Sequence, residues 1–137
     1  MHEDVAQAVE LVNTRARPAR PLDTFDDFLA AHGGERSSLL ALRDDLLRVW
    51  EGDPTALNGW LGPSELALVE GVWVLRPGGS PLAHAVAALI AEHGTQRLGF
   101  CAASDCQCVY ADTSARGNRR YCSRTCSTRV NVRRHRA

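Results

Sequence analysis

Through the first 50 residues apolar side chains recur mainly at helical spacing. Val5, Ala8, Val9 and Val12 predict a helix over residues 3–13. "NTRARPARP" ends it, because two prolines among polar residues cannot continue the hydrogen-bond ladder. "DTFDDFLAAHGG" predicts a second helix, with Thr24 or Asp23 as its N-cap, Asp27 three residues after Thr24, and Gly33 as its stop. "ERSSLLALRDDLLRVWEG" sets Leu39, Leu42, Leu46 and Trp50 on one stripe, flanked by Leu40 and Leu47, and Gly52 closes this third helix. "DPTALNGWLG" opens with an N-cap and proline pair and predicts one or two helical turns.

The period then changes. "LALV" and "VWVLRP" are Val- and Leu-rich runs joined by Glu70-Gly71, which predicts a β-hairpin. "SPLAHAVAALIAEHG" returns to helical spacing: Ser80 is the N-cap, Pro81 the first helical residue, and Gly94 lies past the end. Leu82, Ala85, Val86, Leu89 and Ile90 form its buried stripe. After "GTQRLG" the composition turns to Cys, Arg and Ser, which places a module boundary near residues 95–99 and divides the chain into 1–96 and 97–137. The fold expected is α+β: a helical N-terminal domain with a small β-hairpin, followed by a compact C-terminal module.

Among 137 residues, 45% hydrophobic content is enough for a core. The net charge of zero hides a split. Residues 97–137 hold nine arginines against two acids, a net of +7, and residues 1–96 hold seven arginines against 14 acids, a net of −7. There is no lysine. The basic end therefore meets either an external anion or the acidic half of its own chain. The acidic start "MHEDVAQAVELV" lacks the basic region and apolar run of a signal peptide, and no segment has the roughly 18–20 apolar residues of a membrane helix. A soluble, cytoplasmic protein with no membrane partner is expected.

All five cysteines lie between Cys101 and Cys126. Disulfides need an oxidising compartment, which the expected location does not offer. A catalytic cysteine would leave four thiols unexplained. Cys101 and Cys106 form C-x4-C, and Cys122 and Cys126 form C-x3-C with fifteen residues between the pairs. Two such pairs can close a tetrahedral thiolate shell around one structural zinc ion. Cys108 can replace Cys106 on spacing alone, or can be a small buried hydrophobe. Between the pairs, "QCVYADTSARGNRRYC" predicts a second hairpin: out through Val109 and Tyr110, a turn at "DTSARGN", and back through "RRY". Ser123 caps a last helix that carries Cys126 in its first turn. Knuckle, hairpin and ligand-bearing helix describe a treble-clef-like finger.

The pattern "C-x4-C-x3-Y-x-DTS" followed by "RRYCS-x2-C-x2-R-V-x4-HR" resembles the CGNR zinc-finger family. Alignment on it implies that Cys101, Cys106, Cys122 and Cys126 are the zinc ligands. It sets Cys108 where the family carries a bulky non-ligand. The signature tetrad reads Cys126-Ser127-Thr128-Arg129 here. "ELVNT" looks like the "DFVNT" start of the ABATE domain that precedes this finger, which implies an ABATE-like identity for residues 1–96. The family's members are described as stress-induced bacterial transcription regulators, so the resemblance implies DNA as partner.

The residues themselves offer competing roles for the arginines. Arg129, Arg133 and Arg136 share one face of the last helix, with Cys126, Val130 and Ala137 on the adjacent face. The arginine face suits phosphate contact and insertion in a major groove, and Arg116, Arg119 and Arg120 would add backbone contacts. Against this, a zinc ion with four thiolates carries −2 and attracts arginines, a helix C-terminus favours cations, and the finger can dock on the acidic half. DNA binding with a sensing or oligomerising N-terminal domain is the expected function. A protein-interaction or self-association module with a purely structural zinc is the alternative. No enzyme is expected, because no nucleophile, base and orienter set is visible and four protein ligands leave zinc no open position. His84 reads as a packed or half-exposed histidine, Asp112 as a turn former or arginine partner, and Asn13 as a C-cap or a residue of other function. Trp50, Trp60 and Trp73 serve the core or a partner face.

Overall fold

The computed structural model describes residues 2–76 and 78–136. Among these described residues five α-helices and two antiparallel two-stranded sheets give an α+β fold. Helix α1 (His2–Val12) is central, touching α2 (Phe25–His32), α3 (Arg36–Trp50), α4 (Pro81–His93) and, from the cysteine-rich end, strand β4 (Val109–Ala111). Its periodicity explains this. Val5, Ala8, Leu11 and Val12 are all buried, and Leu11 and Val12 are fully enclosed together with Leu46, Leu57, Val86 and Val109.

The helix ends follow local chemistry. The Glu35 side chain caps α3 by accepting from Ser37 N (3.2 Å) and Ser38 N (2.8 Å). Ser80 Oγ accepts from Ala83 N at 3.2 Å to cap α4, with Pro81 in its first turn. At α2 the N-cap Thr24 makes no side-chain bond, and Asp23 Oδ1 accepts from Phe25 N at 2.8 Å instead. The "DPTALNGWLG" stretch becomes a 3₁₀ turn, Pro54–Trp60, that packs Leu57 between α3 and α4. On α3 the buried stripe is Leu42, Leu46, Val49 and Trp50, with Leu39, Leu40 and Leu47 partly covered.

Strands β1 (Glu65–Val69) and β2 (Val72–Arg76) pair antiparallel, in register from Glu65↔Arg76 to Val69↔Val72. Glu70 (φ 48°) and Gly71 (φ 80°) are both left-handed, the geometry of a tight two-residue hairpin turn. Pro77, expected at the end of this run, lies outside the described residues. No residue of the hairpin enters the core. Among the described residues no helix is long and apolar enough to cross a membrane.

The second hairpin differs from the one expected between the cysteine pairs. β4 pairs with β3 (Leu98–Phe100), in register from Leu98↔Ala111 to Phe100↔Val109, so the sheet brackets the first cysteine pair. The return segment 119–121 is not a strand. Its place is fixed by one side chain and a single backbone bond rather than a ladder. Asp112 Oδ2 accepts from Arg119 N at 2.9 Å, and Ala102 N donates to Arg120 O at 2.8 Å.

Candidate metal centre

Cys101 follows β3 directly, and the chain turns back through Cys106 N→Ala103 O (3.0 Å) and Cys101 N→Cys108 O (2.8 Å). Gln107, between Cys106 and Cys108, takes a left-handed conformation (φ 58°) to complete this knuckle. The second pair comes from the start of α5 (Arg124–Arg136), where Ser123 Oγ accepts from Cys126 N at 3.3 Å and so caps the helix that carries Cys126 in its first turn. These are the knuckle and the ligand-bearing helix of the finger expected, without the hairpin expected between the cysteine pairs.

The sulfurs of Cys101, Cys106, Cys122 and Cys126 lie within 4.8 Å of one another. Cys106–Cys122, Cys122–Cys126 and Cys126–Cys106 are separated by 3.5, 3.6 and 3.7 Å. A tetrahedral ion with bonds of about 2.3 Å to sulfur needs ligand–ligand edges of about 3.8 Å. These three sulfurs therefore form one face of such a tetrahedron, and Cys101 is its fourth corner. All five cysteines are free thiols. One zinc ion fits this donor set, in a shell closed to water.

Burial pushes the Cys101, Cys108 and Cys122 thiols up. At Cys106 burial acts upward too, but the Cys108 backbone and the Cys122 thiol outweigh it and bring the group down to about 7. A bound dication reverses the upward shifts by deprotonating its thiols outright. Cys108 is buried next to the set without joining it.

The arginines divide by environment. Arg129 Nη1 donates to Asp105 Oδ2 at 2.5 Å, and its Nη2 lies 3.7 Å from Cys126 Sγ. The Arg129 hydrogen bond is the main cause holding the Asp105 carboxyl below the usual range. Arg133 approaches the same carboxylate at 3.8 Å. Arg119 is spent internally: its guanidinium donates to the carbonyls of Tyr121 (2.8 Å), Ala111 (3.3 Å) and Cys122 and stacks 5.3 Å from the centre of the Tyr110 ring. Arg120 sits 5.9 Å from the Tyr121 ring centre with its side chain exposed, and Arg116, Arg133 and Arg136 are exposed as well. Arg124 and Arg134, not singled out by spacing, share the exposed surface of α5. Ala137, expected beside Cys126 and Val130 on the face adjacent to the arginines, lies outside the described residues.

Asp112 organises the loop between the pairs. Only 2% exposed, it accepts from Ser114 N (2.9 Å), Ser114 Oγ (2.5 Å) and Arg119 N (2.9 Å). Burial acts to raise its pKa, but these bonds prevail and hold the carboxyl below the ordinary range. Arg97 closes the same loop by donating to the carbonyls of Asp112 and Ser114. Gly99 lies close opposite Tyr110: a Cβ there would lie 2.6 Å from the phenol oxygen, which donates to Arg119 O, so the ring would have to shift.

Sequence reasoning did not find what joins the finger to the helices. Asn13 Nδ2 donates to Val109 O (3.0 Å) and Asn13 Oδ1 accepts from Val109 N (2.8 Å), so one side chain satisfies both backbone groups of a strand residue. Trp50 Nε1 donates to Tyr110 O at 2.8 Å, and Arg15 Nη2 to Gln107 O at 2.7 Å. Among the described residues no ion pair links residues 1–96 to 97–137. The junction uses hydrogen bonds and apolar packing, not the charge difference between the two parts.

The family model of the CGNR zinc finger matches residues 97–137, and this segment is a CGNR zinc finger. No curated protein matches the chain significantly.

Proposed function

We propose that the protein is a non-catalytic DNA-binding regulator whose zinc holds α5 as the contact helix. The observation that carries this reading is α5 itself: five arginines and no acid in 13 residues, with Arg133, Arg134 and Arg136 exposed. The bland uses account for only part of the arginine set. Arg129 and Arg119 have internal partners, and the acidic half takes none of the finger's arginines as ion-pair partners among the described residues. Arg116, Arg120 and Arg136 remain for phosphates, and Arg133, 64% exposed and 3.8 Å from Asp105, can still reach one. Residues 1–96, with their ABATE-like "ELVNT", supply sensing or oligomerisation in this reading. A closed thiolate shell gives the zinc no hydrolytic role.

Salt-titrated binding to a random duplex tests the proposal. About four phosphate contacts give a log–log slope near −3.6, and Arg133→Ala with Arg136→Ala should reduce its magnitude by about 1.8. Absence of duplex binding at low salt would sink the reading and favour the protein-interaction alternative. Preferential competition by RNA would redirect it to RNA.

A further inference from the structure

The β1–β2 hairpin is the most apolar exposed element of the fold. Alternation along the strands puts Leu66 and Leu68 on one face with Trp73 and Leu75, and the register sets Leu66 against Leu75 and Leu68 against Trp73. These four side chains are 71, 59, 68 and 70% exposed. Among the described residues nothing in the core packs on them. A two-stranded hairpin without a covered face is at best marginally stable in water, so this one needs a cover that a single chain does not provide.

We propose that this face is a homodimer interface, in which two hairpins stack face to face about a two-fold axis. Three features favour a second copy. The four side chains present about 500 Å² of apolar surface, so two copies would bury about 1,000 Å², the lower bound for a specific interface. The face consists of two cross-strand apolar pairs, Leu66–Leu75 and Leu68–Trp73, so it can meet itself isologously. The hairpin's charges, Glu65 and Arg76 at the base and Glu70 at the tip, are confined to its ends, so stacking buries none under the face. Val72 and Val74 lie on the opposite face and take no part. The dimer is independent of DNA binding and stands or falls separately from it.

Sedimentation equilibrium of the zinc-loaded full chain, from about 1 to 300 µM, reads the outcome directly. The expected result is a monomer–dimer equilibrium with twice the chain mass at the upper concentrations. Leu66→Lys and, separately, Trp73→Lys should each weaken association by at least about 100-fold, by placing an unpaired charge in the buried face. Both sites are exposed in the monomer and lie outside the core and the metal site, so the helical circular dichroism signal and zinc content should stay unchanged. Val72→Lys, on the opposite face, should leave the dimer intact. A wild-type chain that stays monomeric throughout overturns the proposal. So does a dimer that survives both Lys substitutions, or one that Val72→Lys dissociates.

Discussion

Asp112 shows how much one side chain can organise where regular structure is absent. Its carboxylate satisfies two backbone N–H groups and a hydroxyl, and so replaces the ladder that a return strand would have made. Asp112→Ala should cost about 3 kcal/mol in a denaturant melt, since buried donors lose a charged acceptor. Because the folded pKa lies below the unfolded value, the carboxylate's stabilisation is complete above the unfolded pKa, near 4. It fades as pH falls through the folded value. Acid melts of the wild type should therefore lose a component below about pH 4 that Asp112→Ala lacks. Gln107 holds a left-handed conformation that costs a non-glycine residue about 1 kcal/mol, while only its backbone carbonyl is used, by Arg15. Gln107→Gly should then raise stability slightly, by up to about 1 kcal/mol, without altering zinc content. Turn chemistry made Asp112 legible in the sequence. Asn13 was not, because its partner lies 96 residues away and nothing local marks a side chain that bonds a distant strand.

At the level of elements, helical spacing and caps located the five helices of the described residues: α1 to α4 bury apolar side chains that periodicity reveals, whereas α5 buries only Cys126 and is marked by its Ser123 cap. The hairpin at 65–76 was equally visible through its Glu-Gly turn. The one between the cysteine pairs was misplaced for a physical reason. Val109–Ala111 has strand character, but local pattern does not say which segment takes its edge, and Leu98–Phe100 does so while Asn13 bonds Val109. Asn13 therefore couples α1 to β4, and Asn13→Leu would strand both backbone groups of Val109. Its expected cost is about 2–3 kcal/mol, measured by chemical denaturation. Val109 amide exchange should accelerate more than exchange within α4.

For the whole molecule, composition suggested two modules, yet the core crosses the proposed boundary. Val109 and Ala111 belong to the cluster formed by the N-terminal helices, while the cysteines form a smaller cluster around the metal site. Metal binding and helical packing are therefore linked through β4. Chelation should lower the melting temperature of the entire chain, not merely erase a small separate transition. The zinc site was legible because cysteine spacing encodes it almost completely. The arginine assignments were not, since Arg129 finds Asp105 through a tertiary contact and Arg119 turns back onto nearby backbone carbonyls, neither of which spacing expresses. Everything proposed for α5 depends on a closed metal shell that fixes the helix to the knuckle. X-ray absorption at the zinc edge of the full-length chain measures that shell. One zinc per chain with four sulfur neighbours at about 2.3 Å is the predicted result, unchanged in Cys108→Ser. Three sulfurs with a nitrogen or oxygen neighbour, or retention of the full sulfur shell in Cys106→Ser, would contradict it.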